Sequence, residues 1–180
     1  MLILPHFVVG NYAVHPIQRT DQAFVFSGLS DPEVVRYYGV SYTSLEDTAA
    51  QMDFYDRLLI EETGAGWKIV DRETQQPLGV LTAYLYQPAH QRIEIGFWLI
   101  PAAQGKGIIH EVLPSFIAQL RRLFNLHRIE AMVETGNEAS CRVLEKAGFE
   151  REGILRDYEI KNGKRISLIV YSLLLDHPIF

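Results

Sequence analysis

The segment Gln104-Gly105-Lys106-Gly107-Ile108-Ile109 lies between two runs of different period. Residues 92–100 alternate as a strand does, and from Ile108 to Phe124 the apolar residues recur with a helical period. A strand, a glycine loop and a helix start form an anion-binding arrangement. The first N–H groups of the helix have no intrahelical partner, and its dipole favours negative charge there. Gly105 and Gly107 allow close backbone approach, and Gln104 and Lys106 add polar or cationic reach. A P-loop would need two glycines five apart and then Lys-Ser/Thr; the dinucleotide fingerprint would need glycine where His110 stands. The other reading of Gly-x-Gly is a tight turn with helix packing, and the sequence leaves both open.

A second segment starts with an amide. Asn137 is a good N-cap, and Gly148 a good C-terminal stop, for a helix that puts Ser140, Val143, Leu144 and Ala147 on one face. A serine in an apolar stripe needs a partner. It either bonds back to its own helix or presents its hydroxyl to a ligand. Cys141, the single cysteine, has no nearby activating group in sequence and reads as packing.

Two carboxylates lie on expected strands, and Glu94 could accept a proton directly or through water. Strand alternation puts Glu94 with Gly96 and Trp98, opposite Ile93, Ile95 and Phe97. Glu159 precedes the Asn162-Gly163 turn, where its position alone makes it a cross-strand partner for Lys164 or Arg165. The six histidines, His177 among them, show no metal-binding spacing, and no metal is expected. His110, in the first helical turn, is read as solvated.

The elements needed to place these groups are legible from patterning. Residues 7–14, 67–70, 78–86, 92–100, 128–134, 153–161 and 164–174 read as strands. Helices are expected from Thr20 or Asp21 to about Leu29, at Pro32, after Ser44 to about Glu62, from Ile108 with a bend at Pro114, and from Asn137. The order gives a mixed α/β sheet with both faces partly covered. With 180 residues and 48% hydrophobic residues the chain suits one globular domain, residues 1–180. A net charge of -5 disfavours nucleic acid. The start Met1-Leu2-Ile3-Leu4, cut short by Pro5, does not read as a signal peptide, and residues 166–175 are too short to span a bilayer. A cytoplasmic location is the default expectation. Residues 7–14 and 166–175, if at sheet edges, point to a homodimer.

Taken together, the two segments resemble the GNAT superfamily of acetyl-CoA-dependent N-acetyltransferases. Gln104 to Ile109 looks like that family's pyrophosphate loop, and the helix from Asn137 that ends in Ala147-Gly148-Phe149 looks like its Asn-start, Gly-Phe-end helix. Leu29-Ser30-Asp31-Pro32-Glu33-Val34-Val35-Arg36-Tyr37 and Glu94-Ile95-Gly96-Phe97-Trp98-Leu99 resemble the RimJ/RimL branch, which acetylates N-termini of ribosomal proteins. Ile109 departs from the small residue that usually ends the loop signature, and Leu144 stands where many members carry an acidic tyrosine.

The resemblance implies the GNAT fold, a mixed central sheet of about seven strands flanked by helices, with acetyl-CoA as cosubstrate and no metal. It implies that Phe97, Trp98, Leu99, Gln104, Gly105, Lys106, Gly107, Ile108, Ile109, Asn137 and Ser140 bind the cosubstrate. A backbone N–H near Leu99 would polarise the thioester, Ser140 would protonate the departing thiolate, and Glu94 or Glu159 would take the proton of the amine. Tyr37, Tyr38, Tyr42 and Arg36 would lie over the acceptor. The acceptor would be a primary amine, foremost a protein or peptide α-amine such as a ribosomal-protein N-terminus. The alternatives are a small-molecule amine such as a polyamine, or a non-catalytic acyl-CoA-binding module.

Overall fold

The computed structural model describes residues 2–175, so Met1 and His177 lie outside it. The strands are β1 (Phe7–Val9), β2 (Tyr12–Pro16), β3 (Ala65–Asp71), β4 (Pro77–Gln87), β5 (Arg92–Leu99), β6 (Arg128–Glu134), β7 (Glu150–Lys161) and β8 (Lys164–Leu174). The helices are α1 (Gln22–Leu29), α2 (Pro32–Val35), α3 (Ala49–Ile60), α4 (Ile108–Leu123) and α5 (Glu138–Lys146). One eight-stranded sheet runs in the order β1-β2-β3-β4-β5-β6-β8-β7. Every neighbouring pair is antiparallel except β5 and β6, whose parallel pairing follows from the crossover through α4.

Residues 7–14, expected as one strand, form the hairpin of β1 and β2 instead. Gly10, at φ +52°, turns the chain between Val9 and Tyr12, a reversal that apolar alternation does not reveal. That hairpin accounts for the eighth strand. The edge expectation also needs correction. β8 lies between β6 and β7, so residues 166–174 are interior, and the edges are β1 and β7.

α3 starts later than Ser44 suggests. The Ser44 hydroxyl accepts from Asp47 N at 3.0 Å, which closes a separate turn before the helix begins at Ala49. α2 opens at Pro32 as read, and Asp31 caps it, accepting from Glu33 N and Val34 N. α4 continues through Pro114 as one helix.

The two faces of the sheet are covered differently. α4 and α5 lie over Trp67, Ile69, Leu81, Ile93, Ile95, Ile129 and Ala131, with the Trp67 and Phe116 rings edge to face at 5.2 Å. α1, α2 and α3 lie over Val80 and Trp98. Val80, Thr82 and Tyr84 share that second face with Glu94, Gly96 and Trp98, since β4 and β5 pair in that register.

Candidate active site

β5 and β6 pair only from Arg92/Arg128 to Glu94/Glu130. Beyond that β5 runs to Leu99 and β6 to Glu134 with no ladder between them, so the two parallel strands splay. The splay leaves the edge of β5 that faces β6 with free backbone groups. Each side of the opening ends at a helix N-terminus: α4 follows β5, and α5 follows β6.

At the α4 end, Gly105 and Gly107 adopt φ +71° and +77°. Nothing lies within 4 Å of where a Cβ would stand on either glycine. The glycines therefore serve backbone conformation and access, not close packing, which favours the anion-loop reading over the tight-turn one. Gly107 is the N-cap and gives no side-chain cap, so the first N–H groups of α4 stay available. Ile108 and Ile109 are buried in the core, and their main chain alone faces the loop. Lys106 is exposed. Gln104 turns inward and donates to the Leu99 carbonyl at 3.1 Å, tying the loop to the end of β5. Phe97 packs with the core under α4 and α5, while Trp98 is buried on the opposite face. Phe97 therefore brings only main chain to the opening, and Trp98 brings none, because its N–H and C=O face Val80 of β4.

At the α5 end, Asn137 accepts from Ser140 N at 3.2 Å, and its amide donates to Ser140 Oγ at 3.1 Å. The Ser140 hydroxyl thus accepts from its cap. Among the described residues its own proton is given to no partner, the helix carbonyls included. A half-buried hydroxyl with a free proton can protonate a nearby anion. Cys141 and Leu144 are buried, as packing residues should be.

Glu94 is half-buried on the face opposite α4, and the Tyr84 hydroxyl donates to its Oε1 at 2.5 Å. Burial raises the Glu94 carboxyl above the usual range, and the charges of Glu130 and Glu159 push the same way against Tyr84 and Arg92. A carboxylate whose basicity is raised in this way is a better proton acceptor than an exposed one. Glu159 is exposed and sits opposite Ile166. It forms no hydrogen bond or ion pair among the described residues, so the expected partnership with Lys164 or Arg165 is absent.

The side that carries Glu94 is walled with hydroxyls. A Cβ on Gly96 would stand 3.7 Å from Tyr84 Cε1 and 3.9 Å from Tyr38 Oη. Thr82 Oγ1 and Tyr55 Oη, on the same side, are buried close to each other and to Tyr38 and Gln51 without a well-formed hydrogen bond. Tyr42 donates to Gln51 at 3.1 Å, and the Arg36 guanidinium lies over the Tyr37 ring at 5.2 Å. Lys161 donates to both the Arg36 carbonyl and Glu134, joining the end of β7 to α2 and β6 across this side. Tyr84, Tyr55 and Thr82 were not singled out in the sequence. Tyr84 had a faint signal there, as an aromatic residue on the strand that hairpins onto Glu94.

Residues 13–150 match the family model described as an acetyltransferase (GNAT) domain. The chain belongs to the GNAT acetyltransferase family. It is 36% identical over 159 residues to the uncharacterized N-acetyltransferase YoaA of Bacillus subtilis, covering 87% of this chain and 90% of that one. It is 26% identical over 133 residues to the ribosomal-protein-serine acetyltransferase of Escherichia coli, covering 74% and 73%. Among solved structures it is similar in fold to RimL, the ribosomal L7/L12 alpha-N-protein acetyltransferase in complex with coenzyme A. That match has a TM-score of 0.85 at 20% identity and covers 96% and 99%. The spermidine N-acetyltransferase from Vibrio cholerae in complex with CoA and spermine follows at 0.79 and 19%, covering 91% and 95%. This GNAT domain is an N-acetyltransferase, and the RimJ/RimL-like resemblance agrees with its ribosomal-protein acetyltransferase relatives. No helix of the described residues is long and apolar enough to cross a membrane.

Proposed function

We propose that this GNAT enzyme transfers the acetyl group of acetyl-CoA to the α-amine of a peptide or protein N-terminus. The observation that carries the reading is the splay of β5 from β6, with an uncapped helix start at one side and a serine holding a free proton at the other. The open N–H groups of residues 105–109, with Lys106, hold the pyrophosphate. The free edge of β5 at Phe97 and Leu99 receives the pantetheine amides and polarises the thioester, with Asn137 at the far side. Glu94 takes a proton from the acceptor ammonium, so that the amine lone pair can attack the carbonyl carbon. As the C–S bond breaks, Ser140 gives its proton to the sulfur and is reprotonated by the second proton of the acceptor nitrogen, which becomes the amide N–H. Glu159 is the alternative base. The ribosomal-protein acetyltransferase relative supports an N-terminal acceptor, and RimL supports coenzyme A as the acyl carrier.

A polyamine acceptor is the second reading. It is favoured by the free carboxylate of Glu159, which could pair with a second ammonium of a spermidine-like substrate, and by the spermidine acetyltransferase neighbour. Release of free thiol from acetyl-CoA, measured with peptides and polyamines side by side, separates the two. Turnover of polyamines alone would sink the N-terminal reading. In the same assay Ser140→Ala lowers kcat by about 10- to 10³-fold with acetyl-CoA affinity unchanged. Gly107→Val weakens acetyl-CoA binding about 10²-fold, read by calorimetry, because a β-branched residue is strained at positive φ. A homodimer would form through the β7 edge, where Ile154, Tyr158 and Ile160 are exposed; a monomer mass by light scattering at micromolar protein disposes of it.

A further inference from the structure

The contact between Tyr84 and Glu94 depends on an irregularity in β4. Tyr84 pairs with Glu94, and the next paired residues are Gln87 and Arg92. Leu85 and Tyr86 therefore oppose Ile93 alone, a β-bulge with one extra residue. Leu85 takes φ +57° and is exposed, an uncommon state for a residue with a branched side chain. Without the bulge, alternation would put Tyr86 on the same face as Tyr84. Instead Tyr86 turns to the α4 side and stacks near Phe124 at 4.7 Å between ring centroids. Tyr84 is left alone on the acceptor face, its ring edge-on to Phe54 of α3 at 6.4 Å and its hydroxyl on Glu94.

We infer that Tyr84 is a positioning residue for acetyl transfer: its hydroxyl fixes Oε1 of Glu94 and leaves Oε2 to take the proton of the acceptor amine. The inference rests on the reading of Glu94 as the base. A phenol is a donor to a carboxylate, so it blocks protonation at the oxygen it serves and orients the other. The remaining polar neighbours do not do this. Arg92 is engaged by Glu130 at 2.7 Å and by Gln87 at 3.2 Å. Glu130, on β6, is held by Arg92 and Arg128. Glu159, on β7, and Tyr38, beyond α2, complete the titratable groups that face the pair. Tyr84 itself is held strongly in the protonated form by burial and by the Glu94 charge, so it stays a donor across the working range of pH.

The test compares the full chain with Tyr84→Phe and Glu94→Gln. Phenylalanine keeps the ring against Phe54 and removes only the donor. Carbon-13 NMR of labelled glutamate carboxyls, assigned through the loss of one resonance in Glu94→Gln, follows the Glu94 titration without any substrate. The acid limb of kcat/KM is measured with acetyl-CoA and whichever primary amine turns over fastest. In Tyr84→Phe the Glu94 titration moves to higher pH and the acid limb moves with it. The rate at neutral pH falls about tenfold, the effect expected of a lost hydrogen bond to a charged group. Acetyl-CoA affinity stays as in the parent, and the melting temperature falls more at neutral than at acid pH, as loss of a bond to the ionised carboxyl requires. If Glu94→Gln is slow but Tyr84→Phe leaves the acid limb in place, whether or not the titration moves, the tyrosine is structural only and the inference is overturned while Glu94 stands as base. If Glu94→Gln keeps the parent rate and profile, the base reading fails and takes the Tyr84 assignment with it.

Discussion

The two faces of the sheet carry different tasks. Under α4 and α5 the inward residues of β3, β4, β5 and β6 are apolar, from Trp67 and Ile69 through Leu81, Ile93 and Ile129 to Val133. Under α1, α2 and α3, Val80 and Trp98 alternate with Thr82, Tyr84, Glu94 and Gly96 along the same strands. One face is packed for stability. The other keeps three buried polar atoms without a well-formed hydrogen bond among the described residues: Thr82 Oγ1 and Tyr55 Oη, which lie close to each other, and Trp98 Nε1. Each such atom costs free energy that an apolar isostere would not. That cost falls on the face that carries Glu94, the one proposed to meet the acceptor.

The largest way to break this contrast is in the apolar face. Phe116→Ala, at a side chain that is fully buried against Trp67, should destabilise by about 3–5 kcal/mol in urea denaturation. The rate per folded molecule should stay near the parent value. A large rate loss at full folding would mean that the two faces are not separable.

A smaller effect is expected at the bulge. Leu85→Val puts a β-branched residue at φ +57° and should cost about 1–2 kcal/mol, whereas Leu85→Gly accepts that φ and should be neutral or slightly stabilising. The rate should fall in the valine variant if the bulge relaxes and Tyr84 leaves Glu94. Equal stability of the two variants would show that the strain is not there.

The smallest effect sharpens the contrast. Thr82→Val removes a buried hydroxyl without a well-formed hydrogen bond at nearly constant shape. Stability should be unchanged or higher by about 1 kcal/mol. Acceptor KM should rise if the hydroxyl meets the substrate. A stability loss would reveal that Thr82 has a partner after all, and an unchanged KM would remove it from the acceptor wall.

A pH effect on stability bears on the same face. The carboxyl of Glu94 is raised on folding, so the folded state holds its proton more tightly than the unfolded chain. Its contribution favours the folded state at low pH and is lost as pH rises through the raised folded value. Glu94→Gln should therefore gain stability relative to the parent as pH rises through that range, measured by denaturation across pH. An opposite slope would mean that the Glu94 carboxylate is stabilised rather than penalised by its surroundings.

The sequence determined the local pieces of this enzyme. Strand β6 and the boundaries of α5 follow from alternation, from the Asn137 cap and from Gly148. Asn162 and Gly163 take φ +51° and +73°, as the Asn-Gly turn requires. The glycines of the loop before α4 could be read as an anion cradle because helix starts and positive φ are local matters. Local patterning failed at residues 7–14, where the reversal at Gly10 leaves apolar alternation intact on both sides, and at Ser44, whose cap serves a turn that stops short of α3. Tertiary structure alone decided the site. The splay of β5 from β6, the seat of β8 between β6 and β7, and the bulge that turns Tyr84 to Glu94 and Tyr86 away all depend on which strands meet and in which register. Pairings of that kind join residues far apart in the chain, and alternation is the same for every register that differs by two residues, so no local rule selects among them.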